Sequence, residues 1–451
     1  MSESIPSQAQ FGTDPSLTDD PRRILTDGHM GRVQVIAVVL CTVLNAVDGF
    51  DVLSISFAAP GIAQEWGITP ATLGIILSVE LVGMALGSVM LGNLADQVGR
   101  RKTLLLCLVI MGTGMFLATL ATGVVMMSLY RLLTGFGIGG MLAATNATVA
   151  EFSNARYKTM CVSIMAAGYP VSAIVGGSVA STLLAATGEW RSVFYFGVGM
   201  SLLMFPLVFL LLPESVGFLV QKRPTNALER INETLSKLGH RTVPALPPRT
   251  EDEPRTSVRE LFSSHLARIT ILLTVGYFAH IMTFYFILKW VPKIVVDIGF
   301  ESSSAAGVLV WANVGGLLGS LVLSVLSLRI STRKLIVAAM VLSTVAVTIF
   351  GRGAEDLSSL SLLAAMGGFC TNAAVVGLYA FIAHSFPSAV RAGGTGFVIG
   401  VGRGGAALGP VLAGLLFSSG LGLQGVAVVM ALGSLLGGAC LLALPERDSA
   451  L

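Results

Sequence analysis

Charge is what this sequence has least of. Lys, Arg, Asp and Glu make up 12% of its 451 residues, about half the share carried by a soluble globular protein. That scarcity excludes a water-exposed fold for most of the chain. A net charge of only +3 also excludes a nucleic-acid-binding surface. Cysteine is sparse too: Cys41, Cys107, Cys161, Cys370 and Cys440 lie in apolar runs without CxxC spacing, so neither a disulfide framework nor a zinc site is expected. No His, Cys and carboxylate cluster has ligand spacing, so no metal and no cofactor are expected. The chain lacks a Gly-rich phosphate loop and a nucleophile elbow, which argues against an enzyme. Residues 1–30 lack the basic end, apolar core and cleavage site of a signal peptide.

What is abundant is apolar surface: 54% hydrophobic residues and 52 glycines, with a mean hydropathy of +0.81. Segments near the ~20 residues needed to span a bilayer occur at 33–58, 72–94, 103–122, 124–149, 160–186, 192–212, 268–291, 304–327, 334–351, 358–383, 393–419 and 422–444. The expected fold is an all-α membrane protein of twelve transmembrane helices in two six-helix halves. A cytoplasmic tail at 1–32 precedes the first half, 33–212. A central cytoplasmic loop at 213–267 leads to the second half, 268–444, and a tail at 445–451. Within the central loop, the apolar spacing of Leu228, Ile231, Leu235 and Leu238 predicts a short amphipathic helix over 225–238, with a flexible stretch from Pro244 to Pro254. Lys and Arg gather before span 1, after spans 2, 4, 8 and 10, and in the central loop. The positive-inside rule then places both termini in the cytoplasm. The halves also align without gaps, Val82-Gly83 and Gly87-Ser88 matching Val314-Gly315 and Gly319-Ser320, a parallel repeat that sets Asp48 opposite His280.

Ionisable groups inside a membrane are expensive and mark function. Asp48 and Asp51 lie three residues apart within span 1, on roughly one helix face. They are candidate proton-coupling groups, and Glu80 in span 2 is a third candidate or an interior ion-pair partner. Arg403, deep in span 11, can hold a carboxylate bidentately or bridge permanently to one of these acids. Arg131 in span 4 can link the two sites or brace span 1 or 2. His280 in span 7 is a substrate or proton contact, or a hydrogen-bonded interior residue. Phe50, Tyr169, Tyr285, Trp311 and Tyr379 are candidate ring-stacking walls, and Asn313 a partner for a substrate hydroxyl, against the commoner packing role of such residues.

The string Gly92-Asn93-Leu94-Ala95-Asp96-Gln97-Val98-Gly99-Arg100-Arg101-Lys102 resembles the G-x-L-A-D-x-x-G-R-R-K loop of the major facilitator superfamily. Within it, Asp48-Gly49-Phe50-Asp51 is similar to the helix-1 D-G-x-D motif of the aromatic acid:proton symporters. Arg131 with Glu151, and Arg391 with Arg403, resemble further charged positions of that family. Gly168-Tyr169-Pro170 with Gly176-Gly177 is an incomplete form of the antiporter glycine-proline pattern.

The resemblance implies a bacterial inner-membrane transporter that imports a hydroxybenzoate-like carboxylate by proton symport with alternating access, and a monomer in the lipid bilayer is expected. A transporter of another organic anion (a dicarboxylate or sugar acid) and a proton antiporter exporting small molecules stay open beside it. It also implies gating roles for Asp96, Arg100, Arg101, Glu151, Arg156 and Arg391 at the inner ends of the helices.

Overall fold

A computed structural model describes residues 20–247, 258–263, 266–387 and 390–444. The tail before residue 20, most of the expected flexible stretch and the tail after 444 lie outside the described residues. Twelve helices are long and apolar enough to cross a bilayer. They are α1 Arg32–Trp66, α2 Pro70–Val98, α3 Arg100–Thr119, α4 Val124–Phe152, α5 Lys158–Thr187, α6 Arg191–Leu211, α7 Ala267–Ile298, α8 Ser302–Leu326, α9 Thr332–Phe350, α10 Leu357–Ser385, α11 Arg391–Ser418 and α12 Leu423–Leu442.

Several helices overrun their apolar cores because the stop and start signals lie beyond them. α1 runs on to Trp66 and ends at Gly67, whose φ of 58° is the left-handed cap that glycine supplies. Thr69 then caps α2, with Pro70 at its first turn. Gly99, at φ 114°, breaks α2 from α3.

The two halves pack alike. Gly83 and Gly87 of α2 sit against the Leu132 and Phe136 carbonyls of α4, where any Cβ would collide. Gly315 and Gly319 of α8 sit in the same way against Ala365 and Phe369 of α10. Small residues at these crossings let backbones approach; the glycines keep the register of the sequence repeat, and their partners fall one residue beyond it.

The face holding the central segment and most of the basic loops is here termed the basic face, and its opposite the far face. Toward the far face one hydrophobic core is shared by both halves, from Phe57 and Ile76 to Val291 and Leu309. Toward the basic face the cores separate. One belongs to the first half, with Leu104 and Met141; the other belongs to the second half apart from Leu81. Cross-half contacts follow the same division. Gly74 meets the Pro410 carbonyl and Gly414 the Pro70 carbonyl. The Ala71 amide donates to Ser418 Oγ at 2.9 Å, and Ser181 Oγ donates to the Ser303 carbonyl at 2.7 Å. The halves are therefore closed at the far face.

The amphipathic helix forms over Ala227–Leu238 and buries Ile231, Leu235 and Leu238 in the first half's core. Gln34 ties it to α1: its Nε2 donates to the Phe152 carbonyl at 2.8 Å, and its Oε1 lies 3.0 Å from His240 Nε2. A short 3-10 turn at Val258–Phe262 instead meets the second half, where Thr270 Oγ1 donates to the Leu261 carbonyl at 2.9 Å.

Candidate functional site

Three fully buried charges meet where the halves close. Arg131 of α4 is ion-paired with Glu80 of α2, and both side chains are 0% exposed. The arginine also donates to the Asp51 carbonyl at 2.8 Å, contacts Met115 Sδ at 3.0 Å and lies 5.5 Å from the Phe194 ring centroid. The third charge is Lys289 of α7, also 0% exposed. Its Nζ donates to the Val52 carbonyl of α1 and lies 3.4 Å from Glu80 Oε2. One carboxylate is thus clamped between two cations, one from each half. A buried pair of this kind contributes little net stability but is costly to break from one side.

Asp48 and Asp51 are buried on the adjacent stretch of α1. Among the described residues no donor reaches any of their four carboxyl oxygens. Asp51 Oδ1 points at Gly197 of α6, where a Cβ would stand 2.9 Å away. The glycine gives the carboxyl its room. Asp48 lies within electrostatic reach of Asp51 and of Tyr169.

A second cluster, of phenols around a guanidinium, lies along the same divide. Tyr277 of α7 donates to the Tyr379 hydroxyl of α10 at 3.1 Å. Arg403 of α11 is within electrostatic reach of Tyr277 and Tyr285, and its neighbour Gly402 packs directly on the Tyr277 ring. Tyr169 of α5 brings the first half to the cluster, within reach of Tyr285 and Tyr379. Arg403 is only partly buried, and no ion pair engages it among the described residues. Tyr277 was not singled out by the sequence, although its spacing of eight residues from Tyr285 already put both on one face of a helix.

Other expected residues fall elsewhere. His280 is fully buried inside the second half, its ring nitrogens 2.9 Å from Ser434 Oγ and 3.0 Å from the Thr371 carbonyl. Both nitrogens are occupied, the arrangement of the hydrogen-bonded interior residue that was the alternative to a substrate or proton contact. Phe50 takes the packing alternative in this structure: it is 4% exposed and stacks edge-on to Phe196 at 5.0 Å within the first half. Trp311 is 54% exposed, and Asn313 donates at 2.8 Å to the Leu309 carbonyl of its own helix. Neither joins the phenol cluster through a hydrogen bond or ring contact in the described residues.

The expected gate residues divide in the same way. Arg100 pairs with Asp96 at 2.7 Å and Glu151 at 2.8 Å. Glu214 accepts the Arg100 amide at 2.8 Å, and Ser215 donates to Glu151. This network lies wholly in the first half. Arg101 donates to the Phe209 carbonyl and covers its ring. Arg156 and Arg391 stand apart, the one over Tyr157 at 5.3 Å, the other 3.4 Å from the Phe386 carbonyl.

This geometry has known counterparts. The family model of the Major Facilitator Superfamily matches residues 41–316 and 273–451. The chain is 31% identical to the gallate transporter of Pseudomonas putida, over 86% of this chain and 87% of that one. It is 26% identical to the 4-hydroxybenzoate transporter PcaK of Acinetobacter baylyi, covering 92% and 93%. It is 29% identical to the 3-(3-hydroxy-phenyl)propionate transporter of Escherichia coli, covering 92% and 95%. Among solved structures, the D-xylose-proton symporter superposes with a TM-score of 0.70 at 16% identity, covering 90% of this chain and 96% of that one. The inward open conformation of the xylose transporter XylE from E. coli also gives 0.70, at 15% identity, covering 92% and 97%. Those two likenesses concern the fold alone. Twelve spanning helices in matched halves, with charge confined to the divide between them, are the frame of a carrier rather than an enzyme, and the chain belongs to the major facilitator superfamily, in its family of aromatic acid transporters.

Proposed function

We propose that the protein imports a small hydroxylated aromatic carboxylate together with protons, by alternating access across the bacterial inner membrane, and that it works as a monomer. The observation that carries this reading is Arg403: a guanidinium without an ion-pair partner among the described residues, within electrostatic reach of the Tyr277 and Tyr285 hydroxyls. A carboxylate is the natural ligand of such a cation. Phenol rings with hydroxyls offer both a stacking wall and partners for a ring hydroxyl. The relatives whose names specify gallate, 4-hydroxybenzoate and 3-(3-hydroxy-phenyl)propionate support the same chemistry.

Proton coupling falls to Asp48 and Asp51. Charge on a carboxyl buried without a donor costs several kcal/mol, so these groups fit a site that takes up and releases a proton as the halves rock. Positive-inside placement makes the basic face cytoplasmic, and the closed far face then belongs to an inward-facing state. The Asp96, Arg100, Glu151 and Glu214 network holds the inner ends of the first half as one body, and gating roles for Arg156 and Arg391 are proposed from their places at the inner ends of α4 and α11.

The test is uptake by proteoliposomes carrying an inward proton gradient. Hydroxybenzoates should accumulate and draw protons in with them; preference for dicarboxylates or sugar acids, or outward substrate movement, would sink the assignment. Asp48→Asn should lose gradient-driven accumulation yet keep substrate exchange. Equal loss of both at normal membrane abundance would remove its coupling role.

A further inference from the structure

Lys289 has no part in the scheme above, yet among the described residues it is the one cation the second half extends into the first half's buried charges. Its acceptors, the Val52 carbonyl on α1 and Glu80 on α2, both belong to the opposite half. Arg131 on α4 is the other charged group within its electrostatic reach. Asp51 on α1 reaches Arg131 and Glu80, and Asp48 reaches Asp51; Tyr169 on α5, Tyr285 on α7, Tyr379 on α10 and Arg403 on α11 continue the set along the divide. Tyr285 and Lys289 are four residues apart and share a face of α7. Tyr285 is within electrostatic reach of both Arg403 and Glu80. One helix face thus runs from the phenol cluster to the outer seam.

Counting charges shows what this arrangement does. Arg131, Lys289 and Arg403 are three cations, and Glu80, Asp48 and Asp51 three acids, so with every group ionised and no substrate the closed cluster is neutral. Asp51 is the acid nearest the clamp, since its backbone carbonyl is held by Arg131, and Asp48 has Asp51 as its charged neighbour. With one of these two acids protonated and an anion beside Arg403 and Tyr285, the cluster is neutral again. A proton alone leaves a positive surplus, and an anion alone a negative one. Both surpluses are expensive in a closed, dry interior.

We propose that Lys289, through its cross-half contact with Glu80, makes closure of the outer seam depend on the charge of this cluster, so that the carrier closes empty or carrying both proton and anion. The inference rests on the symport reading and deepens it. Lys289 acts here as a positioning residue, through Glu80.

The test reads the seam directly. Spin labels are introduced through T187C and E301C, at exposed sites on either side of the far face; the native cysteines are all buried. The distance distribution then gives the closed fraction in membranes. In the otherwise unchanged protein, lowering pH without substrate should reduce the closed population at least threefold, and 4-hydroxybenzoate should restore it. K289M should open the seam at least fivefold at neutral pH and abolish both responses, while K289R keeps them. E80Q should open it similarly, and E80Q/K289M should close within twofold of the parent but ignore pH. Parental closure and responses in K289M would overturn the proposal. Should K289M fail to reach the membrane, equal closure in E80Q and E80Q/K289M would overturn it instead. If 4-hydroxybenzoate has no effect but K289M still opens the seam, the substrate assignment fails and the role of Lys289 stands.

Discussion

The two halves share a packing scheme and differ in what it carries. Glu80 lies three residues before Gly83, and its counterpart before Gly315 is Ala312; Arg131 precedes Leu132 as Ala364 precedes Ala365. On α1 and α7, Asp48 faces His280 in the repeat and Asp51 faces Thr283. The duplicated part is the glycine-lined backbone crossing. The charges of Asp48, Asp51, Glu80 and Arg131 are not repeated in the second copy. His280 and Thr283 instead bond within their own half, Thr283 Oγ1 to the Met430 carbonyl at 2.6 Å. Repetition thus supplies two alike bodies, and the asymmetry sets different charges on each. In the proposed scheme a proton taken up in the first half is felt by the second through side chains that cross the divide.

The contrast is sharpest in two arginines. Arg131 is 0% exposed and held by Glu80, the Asp51 carbonyl and Met115; Arg403 is half-buried without an ion pair among the described residues. Arg131→Met should therefore cost about 3–5 kcal/mol of stability, the loss expected when one partner of a buried pair is removed. Melting in detergent reads this as a large fall or as missing folded protein. Arg403→Gln should leave melting unchanged and weaken substrate instead. A lost charged hydrogen bond of about 1.5–3 kcal/mol corresponds to roughly 10- to 150-fold in uptake KM. If both variants lost stability together, the distinction between the halves would collapse. Tyr277→Phe removes the bond to Tyr379, and roughly a two- to tenfold rise in KM for a ring-hydroxylated substrate is expected, at about 0.5–1.5 kcal/mol for a neutral bond.

The smallest effect concerns where the central segment belongs. Partial burial, and then the nearby His29, hold the His240 imidazole below its ordinary value. The docked segment therefore binds fewer protons than the undocked one. Docking on α1 should weaken as pH falls through the ordinary histidine value of about 6.5. Hydrogen-exchange protection across Ala227–Leu238, taken relative to the intrinsic rate at each pH, should fall between neutral and mildly acid pH, and His240→Gln should remove that response. No change with pH would detach the segment from this histidine pair.

Spans, halves and the repeat were legible because a bilayer fixes the length and polarity of whatever crosses it. The acids of α1, with Glu80, Arg131 and Arg403, were legible as costly charges. Their partners were not. Whether Arg131 or Arg403 held Glu80 depends on helix rotation and tilt, which composition does not encode. Lys289 escaped notice because the apolar run fades just after it and Lys293 follows, so it reads as an interfacial lysine. The helix instead continues through Pro292 to Ile298, which draws the ammonium inward. His280 was visible, but Thr371 and Ser434, its partners, lie 91 and 154 residues away. Phe50 kept company with two functional acids in sequence, yet helical rotation turns its ring toward Phe196.

The docking of Ala227–Leu238 has a mechanical consequence. Through Pro247, whose carbonyl accepts from Arg223, the connecting chain is part of the first half, with Leu246 packed on that half's core. From Val258 it is part of the second. Residues 248–257 lie between the two attachments, and ten residues reach at most about 35 Å when fully stretched. That reach exceeds the thickness of the bilayer core, about 30 Å. Chain length alone therefore sets no tighter limit on how far the two attachment points can separate, and in the proposed scheme the tighter limits lie in the seam itself.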